Sequence, residues 1–155
     1  MNKKVIALAV IFFFSLAFAG YQWYVNNSYL NDYRCRGSIT IFNYDLSTQI
    51  NARFHFAGKT GRVIYYGSIF KKNELIGFIN KDISFDIAND DGSISMHSRT
   101  VTPLVKDTAS QTLTSQILPE FFLMKDKTQV YEIKKNANGL LFIRDSLPAF
   151  YCEKD

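Results

Sequence analysis

Charge is missing from one long stretch of this chain: no charged residue falls between Lys4 and Asp32. Cysteine and histidine are scarce, with two of each. No Cys-x-x-Cys spacing occurs, so a metal site lacks companions. Neither a Gly-x-Ser-x-Gly elbow nor a His-Glu-x-x-His motif is present, which leaves hydrolysis without its usual sequence signs. The glycines are scattered at turns rather than gathered into a phosphate-cradling loop. The dense oxygen-ligand spacing of a calcium loop is also absent. The formal charge is only +4, and the doublets Lys71-Lys72 and Lys134-Lys135 stand apart from each other. Without a concentrated basic face, no direct contact with nucleic acid is expected. The doublets read as solvated strand edges that resist edge-to-edge pairing. No internal repeat or low-complexity segment appears.

The uncharged stretch is apolar and aromatic from Val5 to Val25. At about 1.5 Å per residue a helix there reaches roughly 31 Å, close to the hydrocarbon thickness of a bilayer. The pattern predicts a transmembrane helix over 5–25 behind a cytoplasmic tail of residues 1–4, with a stalk over 26–34 and an exported domain over 35–155. Lys3 and Lys4 keep the N-terminus inside. Tyr21, Trp23 and Tyr24 suit the far membrane interface, where amphipathic rings prefer to sit. A cleaved signal ending at Ala17-Phe18-Ala19 is the alternative, and it exports the same domain. The apolar run continues past Ala19, which favours the uncleaved anchor.

About 120 residues remain for one domain with one core. Cys35 and Cys152 sit near its two ends, and in an oxidising compartment their pairing is the default. The period of two begins at Gly37. Ile50, Ala52, Phe54 and Phe56 form one face of a strand, and Gln49, Asn51, Arg53 and His55 the other. The next strand, Arg62 to Phe70, is apolar on both faces and reads as central. Turn signals recur at Gly58–Gly61, Lys71–Asn73, Asn89–Gly92 and Asn136–Gly139. Seven or eight short strands joined this way predict a mainly β, antiparallel meander, as a barrel or half-barrel with one short helix.

Lys106 to Gln116 breaks the pattern with a polar, Thr- and Ser-rich segment. Leu118-Pro119-Glu120-Phe121-Phe122-Leu123 follows, where the proline is compatible with a short helix. Phe121, Phe122 and Leu123 are too apolar for water, so they either plug one barrel end or form a patch that a partner covers. His55 and His97 fall on polar strand faces, and nothing marks a nucleophile for them, so neither catalysis nor a cofactor is expected. The many strand aromatics leave room for an interior packed solid or one that encloses an apolar ligand.

Several features occur together: Cys35 and Gly37 opening the first strand, Arg99-Thr100-Val101, Asp107 before the polar segment, Ile117-Leu118 and Phe121-Phe122, and Pro148-Ala149-Phe150-Tyr151-Cys152 at the end. In these the chain resembles the FidL-like membrane proteins of Gram-negative bacteria. That resemblance implies kinship with ToxS- and VtrC-like partners of ToxR-type membrane-bound transcription factors. It implies a lipocalin-like barrel or half-barrel in the periplasm, anchored in the inner membrane by one span. It implies a co-sensor role beside a ToxR-like regulator, with bile-salt-like amphipaths as ligands. A stand-alone carrier of an apolar molecule, or a secreted enzyme or structural subunit with a cleaved signal, are the alternatives.

Overall fold

The computed structural model of the protein describes residues 3–27, 30–90 and 92–155, with side chains for 10–22, 30–89 and 92–155. Helix α1 runs over Lys3–Asn27. Eight strands then follow one another round a closed barrel: β1 (Tyr33–Asn43), β2 (Leu46–Ala57), β3 (Thr60–Lys71), β4 (Glu74–Asp90), β5 (Ser93–Pro103), β6 (Thr128–Asn136), β7 (Gly139–Arg144) and β8 (Leu147–Lys154). Every neighbouring pair is antiparallel. The ring is whole, so the half-barrel alternative does not hold.

Alternation builds the wall. On β2, Leu46, Thr48, Ile50, Ala52, Phe54 and Phe56 are all buried while the residues between them face outward. Such a period of two is what one buried and one wet face require. β3 departs from expectation. Val63, Tyr65 and Ile69 are buried, but Ile64 and Tyr66 are exposed, because a single-layer barrel has no second layer to cover its outer face. β4 is one unbroken strand of 17 residues. β8 begins with Leu147-Pro148, a stretch without alternation. The β3–β4 hairpin closes with Lys72 and Asn73 at φ 49 and 69, and the β7–β8 hairpin with Asp145 and Ser146 at φ 51 and 66. These left-handed pairs are the conformations a two-residue hairpin needs.

Two seams are short. β5 pairs with β6 only over Ser93–His97 with Thr128–Glu132. β1 pairs with β8 only at Cys35↔Lys154 and Arg36↔Glu153. Beside those pairs the Cys35–Cys152 disulfide ties the same two strands, with its Cα atoms 5.3 Å apart. A Cβ on Gly37 would stand 2.8 Å from the Tyr151 carbonyl oxygen, so glycine is what lets β1 approach β8 there. Between β5 and β6 a long strap, residues 104–127, crosses one barrel end. It holds α2 (Gln111–Thr114) and a 3₁₀ turn at Glu120–Phe122 directly after Pro119.

Among the described residues no helix is long and apolar enough to cross a membrane. The expected span over 5–25 is therefore not found. The fully described part of α1, residues 10–22, is shorter than the roughly 20 apolar residues that crossing takes. Lys3, Lys4, Trp23, Tyr24, the stalk residues 26–29 and the turn residues Asp90 and Asp91 lie outside the described side chains. Of the expected interface aromatics, Tyr21 is described, and it is exposed.

Candidate functional site

Aromatic rings fill the barrel near the disulfide. Phe142 and Phe150 stack with centroids 4.3 Å apart, Phe54 stacks on Phe150 at 5.4 Å and on Phe56 at 5.7 Å, and Tyr131 meets Phe142 edge-on. Offset and edge-to-face contacts of this kind add to what burial alone contributes. Toward the strap end the filling stops. A cavity of about 170 Å³ remains there. Ile39 and Ile41 of β1 line one side, Ala149 and Phe150 of β8 another, and Leu118, Pro119 and Phe122 of the strap close it. It lies along the stretch where β1 and β8 form no ladder pairs. Arg144 is the one charged side chain in its lining, and it keeps a loose ion pair with Asp145 at 3.3 Å. The site is thus an apolar chamber with a cation at its edge.

Tyr65 lines the chamber and reaches the strap. The Tyr65 hydroxyl donates to the Phe122 carbonyl at 2.5 Å. Burial, and then the Asp107 charge, push its pKa above the ordinary phenol value. Lys81 and Asp107 form an ion pair at 3.0 Å with both side chains largely shielded. Asp107 also accepts the Asn80 N–H. Tyr131, buried among the rings, has its pKa pushed up to about 12 by loss of solvation.

The residues singled out from the sequence fall in three places. Cys35 and Cys152 are bonded to each other. Phe121, Phe122 and Leu123 are buried at the strap end of the barrel, with Phe121 and Phe122 edge-on at 5.0 Å. His55 and His97 are not brought together, since they sit on β2 and β5, which are not neighbours. His55 meets Asp32 at 3.1 Å, and His97 meets the Thr128 hydroxyl at 3.0 Å. Among the described residues no cluster of three or more His, Cys, Asp or Glu could hold a metal ion. The sequence left an interior that encloses an apolar ligand open as an alternative, but it did not place the chamber or name its lining. Ile39, Ile41 and Ala149 look like ordinary inward strand residues until the unpaired seam places them beside a void. Asp107 and Lys81 carried no signal of pairing, because 26 residues separate them.

No curated protein matches the chain. The resemblance to FidL-like and ToxS-like proteins finds no support in the comparisons. Residues 32–152 match the YqeJ C-terminal domain family. That stretch takes in the barrel from just before β1 to the cysteine that closes it on β8, and the chain belongs to the YqeJ C-terminal domain family.

Proposed function

We propose that this chain is an exported accessory subunit, tethered to the inner membrane by α1, that pairs with a ToxR-type transmembrane regulator and takes an amphipathic ligand into a lipocalin-like barrel. The observation that carries the reading is the apolar chamber beside the thinly paired β1–β8 seam. Ladder groups left open on two facing strands can accept an extended segment from a partner. Phe42 of β1 and Leu147 of β8 stand beside that seam at 78% and 69% exposure, the kind of apolar surface that a partner covers. Val10 to Tyr21 of α1 expose Phe12, Phe13, Phe14 and Phe18 to their surroundings, which suits lipid better than water. Arg144 fits an anionic head group at the chamber's edge, as in a bile-salt-like molecule.

Co-purification of this chain with the exported domain of a ToxR-type regulator, with and without bile salts, tests the proposal. A stable pair whose melting temperature rises with bile salt supports it. A chain whose melting is indifferent to both overturns it. The completeness of the ring, eight strands from one chain, favours a second reading, a stand-alone carrier. A melting shift with bile salt and no regulator bound would single that reading out. Protease accessibility of a tag after Asp155 in spheroplasts tests the exported orientation, since a shielded tag contradicts it.

A further inference from the structure

We propose that residues 110–123 are a displaceable plug, which fills the upper part of the chamber in the empty state and withdraws when an amphipath enters. This rests on the ligand-binding reading above and concerns how that same site is gated.

Size makes the first argument. The chamber measures about 170 Å³, whereas sites that enclose a small organic molecule run to roughly 300–1,000 Å³. A steroid- or lipid-sized ligand does not fit beneath the strap as it stands. The groups that close the chamber on this side are Leu118, Pro119 and Phe122, and all three come from the strap, none from a strand. Moving them enlarges the chamber without breaking the barrel's ladders.

The second argument is the distribution of attachments. The strap is held firmly at both ends. At its start, Leu104 N–H donates to the Asn80 carbonyl, while Thr108 and Ala109 N–H both donate to the Phe78 carbonyl. Asn80 also donates to the Val105 carbonyl, and Phe78 N–H to the Thr108 hydroxyl. At its end, Ser98 on β5 bonds to Met124 and Lys127, and Asp126 N–H donates to the Ser98 carbonyl. Between these anchors, among the described residues, two hydrogen bonds join the strap to strands: Tyr65 to the Phe122 carbonyl, and the Asn43 amide to the Gln116 carbonyl. The other bonds of this stretch stay within the strap: those of α2 and the turns after it, and an exposed Glu120–Lys127 ion pair at 2.6 Å. A four-residue helix has no stability of its own, so the middle keeps its shape by docking. Lys106 and Asp126 take left-handed φ values of 73 and 60 at the two borders, where the chain changes direction.

Withdrawal would change the outside of the molecule as well. Phe121, Phe122 and Leu123 are buried when the plug is in and would become an apolar surface when it is out. The two expectations for these residues, barrel end and partner patch, then describe two states of one element. Ligand occupancy inside the barrel becomes legible outside it.

Hydrogen exchange on the full chain in lipid nanodiscs tests this, with cholate below its micelle concentration as the probe. The amides of 113–118 should exchange well ahead of Thr108, Ala109 and Asp126, and cholate should speed them while slowing Ile50 and Ala52. Tyr65→Phe keeps the ring and removes one latch. It should speed exchange of 113–118 by about two- to tenfold, the range of one hydrogen bond, and leave the anchors unchanged. Exchange of 113–118 in step with the strands, while cholate still protects Ile50 and Ala52, overturns the plug and leaves ligand binding standing. Independent opening of 113–118 with no response of any amide to cholate removes the ligand reading and the gating role with it.

Discussion

Lys81 shares a strand face with Ile79 and Ile83, which are almost fully buried. A lysine in such company needs a partner, because an isolated ammonium in an apolar interior is costly. Asp107 supplies it from the strap, so the pair anchors the strap's start to β4 from within. Removing one member leaves the other charge uncompensated, and for shielded pairs that costs about 3–5 kcal/mol. Asp107→Ala should therefore lower chemical-denaturation stability by several kcal/mol, while the double variant Lys81→Met/Asp107→Leu recovers most of it. Losses below about 1 kcal/mol in both the single and the double variant would show that the pair is solvated. Tyr131 makes a second residue-scale prediction. Its folded pKa of about 12 lies above the ordinary 10.0, so the neutral phenol stabilises the fold fully below pH 10. That contribution is lost as pH rises from 10 to about 12, because the unfolded chain releases its proton first. Tyr65 acts with the same sign. Alkaline unfolding should begin near pH 10 and shift upward in Tyr131→Phe; an unchanged profile would contradict the burial of this hydroxyl's charge cost.

At the scale of elements, Ser98 decides where β5 hands over to the strap. Its buried hydroxyl donates to the Met124 carbonyl at 2.8 Å and accepts the Lys127 N–H at 3.0 Å. Ser98→Ala leaves both backbone groups without this partner, at a cost of about 1–3 kcal/mol. Calorimetry should find the melting point lowered, whereas Ser95→Ala, on the half-buried β5 position nearby, should stay within about 0.5 kcal/mol of wild type. The elements themselves were legible in proportion to their local signals. Alternation marked β2 because Ile50, Ala52, Phe54 and Phe56 face one core, and Gly58 and Gly92, at φ 70 and 87, marked their turns. β3 misled because Ile64 and Tyr66 look like buried residues, while their exposure is set by the absence of a covering layer. β4 runs unbroken through the polar residues Asn80–Asp82. In the barrel the Asn80 amide donates to the Val105 carbonyl, Lys81 pairs with Asp107, and Arg62 donates to Asp82. The chamber's position was beyond reach for a different reason: it depends on two strands failing to pair, and pairing failures leave no mark in either strand's own pattern.

For the whole molecule, closure is the weak step. Seven hairpin or strap-linked seams hold the ring, but the eighth joins the chain's two ends through two residue pairs. Bringing those ends together costs loop entropy that two pairs of ladder bonds repay poorly. The disulfide between Cys35 and Cys152, 117 residues apart, removes that cost from the folded–unfolded balance instead. In the chain-entropy model a loop near a hundred residues gives about 4–5 kcal/mol, an upper figure where strain or residual structure intervenes. Small domains total only about 5–15 kcal/mol, so reduction should bring this one close to unfolding. Cys35→Ser/Cys152→Ser should lower stability by several kcal/mol, and its loss should be local before it is global. Amides of β8, and those of β1 that face it, should lose exchange protection first, while β2, β3 and β4 keep theirs through ladders of ten or more pairs. A reduced protein in which all eight strands open together would show that the seam is held by packing of the aromatic core, with Phe54, Phe142 and Phe150 rather than the sulfur bridge as the closing element.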